Sequence, residues 1–394
     1  MANSAVILRR IILFGAIVLF MPSSIFAEQI KLKSGQVVEG KVVEKNNQFI
    51  KIIFAQTPIT YYLEDIESID GQPFQSGKGE NDISMYAGNP NSPGVTATYF
   101  SSNAKPDKHL ESANQYYKQG NFKEAIAEIS KSIQEQPISA DLYCTRGLFY
   151  AASGDGKLSE LDYAKALEIN PKLENAYFNR GSLYGHTGEY EKALSDFGNV
   201  IKINPSAYDA YLMRGAIYYQ MGQYDLAIRD FDHIIGHDPK AIDIYKRRGN
   251  AFVRKGELDK AIEDYSRVIE MDPQNIDIIF NRANAYFEKK DFPAAIADYN
   301  KTIQINPAYS RAYVNRGNCY YTQGDLDSAI SDYNKAAEID SSIAKACYRN
   351  LAAIYMDKKN FDKTWLNLNK AVELGYKIEP AFLKELQDLS GKGK

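Results

Sequence analysis

The sequence predicts a mainly α-helical protein, an α-solenoid of about eight helix hairpins preceded by a small β module. Three observations predict this fold. Small and aromatic residues recur at one constant spacing along most of the chain. The segment before them has the Val- and Ile-rich runs and turn residues that are typical of short β-strands. The clearest marker is a set of six prolines that recur every 34 residues: Pro137, Pro171, Pro205, Pro239, Pro273 and Pro307.

Residues 1–27 are typical of a secretory signal peptide. The basic pair Arg9 and Arg10 precedes an apolar run over residues 11–21, a proline, two serines and then Ala27 follow, and the segment contains no acidic residue. The apolar run is short for a membrane span. We therefore expect cleavage after Ala27 and a periplasmic or secreted protein, and the alternative is a membrane anchor formed by an uncleaved signal.

Residues 28–71 carry hairpin signals, with Val- and Ile-rich runs separated by Gly35 and by Asn46 and Asn47. They predict four or five short strands in a small barrel or open sheet. The pattern Leu32, Gly35, Val38, Gly40 and Val42 resembles a short SH3-like or Sm-like module, a resemblance that implies no chemistry. Residues 72–105 are rich in Gly, Ser, Asn and Pro without a period, which predicts a flexible linker.

The remaining chain repeats one helix hairpin. Gly147, Gly181 and Gly215 belong to a series of small residues in the first helix, and Tyr163 and Phe197 begin a series of aromatic residues in the second. Glycines that mark the turn between the two helices also keep the step: Gly154, Gly188, Gly222, Gly256 and Gly324. One hairpin cannot bury its apolar face alone, so the copies are expected to stack.

This pattern resembles the tetratricopeptide repeat family in length, small-residue positions, aromatic positions and terminal proline. The resemblance covers residues 106–378 as eight units, with atypical first and last units and one inserted residue after Asp340. Residues 379–394 are predicted as a capping helix and tail. The resemblance implies a concave face lined by the first helix of each hairpin, where a peptide or protein partner binds.

Arginine and aspartate recur together, separated by 16 residues in each of six units, from Arg146 and Asp162 to Arg316 and Asp332. The arginines alone would suggest an anion-binding stripe. A partner on the same spacing favours ion pairs within the array instead, and removing one member of a buried pair costs about 3–5 kcal/mol.

Residues of the first helices that packing does not require are the candidates for binding. Asn can donate to and accept from a peptide backbone, and aromatic residues offer apolar contacts; inheritance through repeat duplication is the competing explanation. The predicted groove residues are Tyr117, Tyr219, Lys246, Asn250, Arg254, Asn281, Asn284, Phe287, Arg311, Asn315, Asn318 and Tyr321.

Some members of the family clamp an acidic C-terminus with Lys and Asn in one unit, Asn in the next and two basic residues in a third. The resemblance places Lys246, Asn250, Asn281 and Arg311 at the first four of these positions. Asn315 stands where the last basic residue is expected. The clamp pattern is therefore incomplete.

Composition and motifs argue against several other classes. With 47 Lys and Arg against 50 Asp and Glu, the chain lacks the basic footprint of a nucleic-acid binder. His233 and His237 share a helix face, but a Gly lies between them and Pro239 follows, so a solvated pair is favoured over a metal site. Three Cys do not form a disulfide framework, although a bridge between Cys319 and Cys347 stays open.

We therefore expect an exported, non-enzymatic scaffold that binds a peptide or protein partner in its groove and needs no cofactor or metal. No catalytic constellation is visible in the sequence. Two alternatives remain open. One is an envelope-associated enzyme or enzyme subunit with its site outside the repeats, and the other is a purely architectural envelope protein.

Overall fold

The computed structural model describes residues 107–378 and 380–391 and, for the backbone alone, six short strands between residues 27 and 73. The predicted signal peptide and linker lie outside the described residues, apart from Ala27 and residues 72–73. Among the helices described, none has the length and apolar character needed to cross a membrane.

The strands form one antiparallel sheet in the order β4-β3-β2-β1-β5-β6. Strand β1 lies between β2 and β5, with Ile30 opposite Val38 and Ile69, and a bulge interrupts the pairing of β2 with β3 after Val42. Their bounds are β1 Ala27–Leu32, β2 Val37–Lys45, β3 Phe49–Phe54, β4 Thr57–Tyr62, β5 Ile66–Ile69 and β6 Gln72–Pro73.

Sixteen of the described helices form eight consecutive hairpins, as the 34-residue spacing predicts. The first helices are α1 Lys108–Lys118, α3 Ala140–Ser153, α5 Glu174–His186, α7 Tyr208–Gln220, α9 Ile242–Lys255, α11 Ile276–Glu288, α13 Ser310–Gln323 and α15 Ser341–Asp357. The second helices are α2 Phe122–Glu135, α4 Gly156–Ile169, α6 Tyr190–Ile203, α8 Tyr224–His237, α10 Leu258–Met271, α12 Phe292–Ile305, α14 Leu326–Ile339 and α16 Phe361–Glu373. An α-solenoid of stacked hairpins is therefore the fold of this part of the chain, and α17 Pro380–Ser390 follows it.

Left-handed residues close the turns between paired helices. The glycines predicted at these turns all have positive φ, for example Gly154 at 89° and Gly324 at 84°. Two turns place lysine there instead, Lys290 at 66° and Lys359 at 56°. Because a side chain makes this conformation unfavourable, the local backbone geometry of the hairpin outweighs the preference of these two lysines.

Small residues of the first helix admit the aromatic ring of the second, as predicted. A Cβ atom on Gly215 would lie 2.9 Å from Cε1 of Phe231, and one on Gly147 would lie 2.8 Å from Cε1 of Tyr163. Both rings are almost fully buried. The absence of a side chain is thus what lets the two helices of a hairpin approach each other this closely.

The helices fall into two compact units: one contains residues 107–264 and the other residues 265–391. In the first unit, apolar clusters follow one another along the helices, for example around Ile129 and around Phe197. The second unit repeats the arrangement around Tyr299 and Tyr333. Burial of these faces supplies the main stabilisation of the stacked hairpins.

The last hairpin departs from the repeat where the sequence lacks its proline. Asp340 caps α15 by accepting from the backbone N–H of Ser342, and the helix starts at the next residue and runs for 17 residues. The longer helix absorbs the inserted residue that the alignment of repeats requires. Helix α17 then packs Phe382 and Leu386 against this hairpin, at Ala352, Met356 and Leu368.

Candidate binding surface

The repeated arginines pair with the repeated aspartates of the second helix. In all six units Nε and Nη2 of the arginine donate to the two carboxylate oxygens at 2.6–2.9 Å. The pKa of Arg316 is raised mainly by its hydrogen bond to Asp332. The prediction of ion pairs within the array is confirmed for Arg146, Arg180, Arg214, Arg248, Arg282 and Arg316.

The two partners of such a pair respond differently to burial. The pKa of the Asp332 carboxyl is raised, because the loss of water outweighs the opposing effect of Arg316. Asp332 alone would therefore be unfavourable in its charged form at this position. The pairs hold the helices in register at a desolvation cost, and they are not available to bind an anionic ligand.

Three of the aromatic candidates pack across the turn of their own hairpin. Tyr117 lies 5.6 Å from Phe122, Tyr219 lies 5.5 Å from Tyr224, and Phe287 lies 5.6 Å from Phe292, measured between ring centroids. Burial raises the pKa of Tyr117 and Tyr219.

Contacts with neighbouring hairpins engage two of the aromatic candidates. Tyr117 stacks on Phe149 at 4.7 Å, and the hydroxyl of Tyr321 donates to Asp357 at 2.8 Å. Tyr117, Tyr219, Phe287 and Tyr321 are all half-buried, so each contributes to packing and keeps part of its surface exposed.

The asparagine candidates of α11 and α13 form a buried network. The hydroxyl of Tyr299 donates to Oδ1 of Asn284 at 2.7 Å, and Nδ2 of Asn315 donates to the same oxygen at 2.9 Å. The hydroxyl of Tyr333 donates to Oδ1 of Asn318 at 2.6 Å. All three asparagines are buried: Asn284 is 6% exposed, Asn315 is 2% exposed and Asn318 is 3% exposed.

This network gives two of the asparagines a structural role that sequence reasoning missed. Asn284 and Asn318 stand 15 residues before a buried tyrosine, and their amides satisfy its hydroxyl. In one earlier repeat the corresponding aromatic residue is Phe197, which has no hydroxyl. The residue 15 positions before Phe197 is Ser182 and not an asparagine. Asn250 precedes Tyr265 at the same spacing, whereas Leu148 precedes Tyr163, so the sequence carries only a partial correlation between Tyr and Asn along the repeat.

Two atoms of the network have no hydrogen-bond partner among the residues that the structure describes. They are Nδ2 of Asn284, a donor, and Oδ1 of Asn315, an acceptor, and both are buried. Asn281, Asn284 and Glu288 share one side of α11 by helical spacing, as Asn315 and Asn318 do on α13. We call the surface formed by Asn281, Asn284, Glu288, Asn315 and Asn318 the amide face.

The other candidates are more accessible. In the unit of residues 107–264, Lys246 bonds Asp243 at 3.0 Å, and Nε of Arg254 donates to the hydroxyl of Tyr224 at 3.2 Å. Asn250 is half-buried in the same unit. In the unit of residues 265–391, Asn281 is half-buried and Arg311 is exposed. The carboxylate clamp stays a prediction.

The histidine pair is held by aromatic stacking. The ring of His233 stacks on Tyr211 at 4.0 Å and the ring of His237 on Tyr208 at 4.2 Å, and both histidines are exposed. Among the described residues no group of three or more His, Cys, Asp or Glu side chains is arranged to hold a metal ion.

The three cysteines, Cys144, Cys319 and Cys347, are buried and free, so the last two are not bridged in this structure. Burial raises the pKa of each thiol to about 12.

Two solved structures illustrate the similarity of this chain to known proteins. The C-terminal part of a TPR repeat-containing protein from Cytophaga hutchinsonii is 19% identical over 61% of this chain and 98% of its own, with a TM-score of 0.55. YrrB, described as a TPR protein with an unusual peptide-binding site, is 23% identical over 47% of this chain and 95% of its own, with a TM-score of 0.43. The first shows a shared fold. No curated protein sequence matches the chain.

Family models match the array in six segments between residues 140 and 342. The model described as TPR repeat matches residues 249–289 and 283–324. Models described as tetratricopeptide repeat match residues 140–173, 174–207, 208–240 and 310–342. The last four segments each coincide with one hairpin of the structure, and the helical array of this chain belongs to the tetratricopeptide repeat family.

Proposed function

We propose that the chain is an exported, non-enzymatic scaffold that binds an extended segment of a protein partner on the amide face. Tetratricopeptide repeats are scaffolds typical of protein–protein interaction. The observation that carries the proposal is the unpartnered pair of amide atoms, Nδ2 of Asn284 and Oδ1 of Asn315. One donor beside one acceptor complements the C=O and N–H groups of a peptide backbone, whatever its side chains.

The energetics favour a ligand that supplies both groups. A buried polar atom without a partner costs about 1–3 kcal/mol, so the unbound chain retains this cost at two neighbouring positions. Both atoms are fully covered, and a peptide therefore reaches them only when a covering side chain changes its rotamer. Such changes are common at interfaces whose backbone stays unchanged.

Apolar contacts are available beside the amides. Phe287 follows Asn284 on α11 and Tyr321 follows Asn318 on α13, each by three residues, and both rings are half-buried. Their remaining exposed surface can receive apolar side chains of the partner, because large aromatic residues gain most from losing water at an interface. Backbone recognition would then provide affinity, and these rings would provide selectivity.

The export part of the proposal is supported by residues 1–27 alone. The basic pair, the short apolar run and Ala27 directly before Glu28 together favour a cleaved signal. N-terminal sequencing of the protein recovered from its cells tests this point. A chain that begins near Glu28 supports export, and a chain that retains residues 1–27 refutes cleavage.

Selection from a displayed library of random peptides, with the full chain as bait, tests the binding site. We expect selected peptides to lose about tenfold in affinity for Asn315→Ala, since one backbone hydrogen bond is worth about 1 kcal/mol or somewhat more in a buried site. Asn334→Ala is the matched control, because Asn334 is exposed on α14 and its side-chain amide donates to the backbone carbonyl of Ile330 in the same helix.

Two results would count against the proposed site. Equal affinity of the two variants would remove the amide face from the account, provided that both unfold at the temperature of the wild type. Failure to select any peptide would remove peptide binding itself.

A further inference from the structure

Glu288 is the last residue of α11 and lies in an unfavourable place for a carboxylate. The C-terminal end of a helix carries partial negative charge, which repels an acidic side chain in the last turn. Within the part of the chain that the structure describes, the carboxylate of Glu288 makes no hydrogen bond and no ion pair. Helix stability therefore does not account for an acidic residue at this position.

Glu288 follows Asn284 by four residues on α11, about one helical turn, so the two side chains are neighbours on the same side of the helix. The pKa of Glu288 is raised because neighbouring atoms displace water from the carboxyl group, although the side chain remains accessible. The pKa of Tyr299 is raised mainly by burial and further by the negative charge of Glu288. Since the Tyr299 hydroxyl bonds Asn284, the carboxylate, the hydroxyl and the amide network occupy one neighbourhood.

Acidic residues at the repeat position of Glu288 occur in only one of the two compact units. In the unit of residues 107–264 the position holds Lys118, Ala152, His186, Gln220 and Arg254, none of which is acidic. In the other unit it holds Glu288, Thr322 and, after the inserted residue, Asp357. Repeat duplication would carry one residue type along the array, so it does not explain this change of charge.

We propose that the amide face selects peptide segments that carry a lysine or an arginine, whose cationic group pairs with Glu288 while the adjacent backbone bonds Asn284 and Asn315. This inference rests on the proposed function. A bound cation would replace the lost water and offset the repulsion from the end of α11. Asp357 would contribute less, since its carboxylate already accepts from the hydroxyl of Tyr321.

The test compares peptides selected on the full chain with their neutral counterparts. For a selected peptide, the basic residue is replaced by glutamine, and both peptides are titrated against the wild type and Glu288→Gln by fluorescence anisotropy. We expect Glu288→Gln to weaken the basic peptide about fivefold and to leave the glutamine peptide unchanged. The difference should shrink at 0.5 M NaCl, because salt screens a partly exposed pair.

Glu338→Gln is the control variant. Glu338 is an exposed carboxylate on the second helix α14, paired with Lys335, and its replacement should leave both affinities unchanged. Basic residues enriched among the selected peptides, together with a selective effect of Glu288→Gln, would support the inference.

Two outcomes would overturn the inference, and they separate it from the proposed function. Peptides without basic enrichment that lose affinity on Asn315→Ala but not on Glu288→Gln would refute the role of Glu288 and leave peptide binding intact. A chain that selects no peptide would refute the proposed function and this inference together.

Discussion

Replacing Arg282 by methionine tests how the repeated ion pairs stabilise the array. Arg282 donates to both oxygens of Asp298 at 2.7 and 2.8 Å, and a third nitrogen donates to Ser266 at 2.9 Å. The arginine side chain is 19% exposed, but the aspartate is only 9% exposed. Arg282→Met therefore leaves a buried carboxylate without its main partner.

The expected cost is about 3–5 kcal/mol, the range for one charge left behind in a buried pair. The double variant Arg282→Met with Asp298→Leu should recover most of this loss, because it removes both desolvation costs and fills the site with apolar atoms. The double variant should then cost at least about 2 kcal/mol less than the sum of the costs of Arg282→Met and Asp298→Leu measured singly.

Hydrogen exchange measured by mass spectrometry is the suitable assay, because stacked repeats need not unfold in a single transition. Exchange of the amides in α11 and α12 should accelerate by at least about a hundredfold in Arg282→Met, since each 1.4 kcal/mol is a factor of ten. As a control, Lys335→Met removes an exposed pair and should cost less than about 0.5 kcal/mol. Acceleration below tenfold, or additive single effects, would refute the reasoning.

Three further predictions concern stability and are checked by thermal or denaturant unfolding. Gly215→Ala should cost about 1–3 kcal/mol because its Cβ meets Phe231, whereas Gly198→Ala, where a Cβ meets nothing within 4 Å, should stabilise by up to about 1 kcal/mol. Lys290→Gly should stabilise by about 1 kcal/mol, since it relieves a left-handed lysine. Asp340→Ala should cost about 1 kcal/mol at pH 7. Hydrogen bonds from Ser342 lower the pKa of Asp340, so that difference should be complete above about pH 4 and fade as the pH falls through the lowered value.

The hairpins were predictable because their determinants are local and repeated. A proline, a turn glycine and a small residue opposite an aromatic ring each act within one repeat, and most repeats contain the same residue types at the same positions. The pairing of Arg146 with Asp162 was predictable for the same reason, because the two residues keep one separation throughout the array.

The details of the candidate site depend on contacts between units, which a spacing pattern does not show. Asn284 and Asn315 belong to different hairpins, and their contact at 2.9 Å follows from how one first helix stacks on the next. The burial of Asn284 follows from the hydroxyl of Tyr299, a requirement that a phenylalanine at that position would not create. Glutamate does not recur at the repeat position of Glu288, so the spacing pattern does not mark this residue as a site residue.

Photo-crosslinking of a selected peptide tests whether a partner binds on the amide face. A photoreactive p-benzoylphenylalanine introduced at Asn281, which is half-buried on α11, lies on that face, and the same group introduced at Asn334 lies on the second helix α14. We expect a crosslink from position 281 that excess unlabelled peptide suppresses, and none from position 334. Equal crosslinking from both positions, or crosslinking from position 334 alone, would contradict binding on that face.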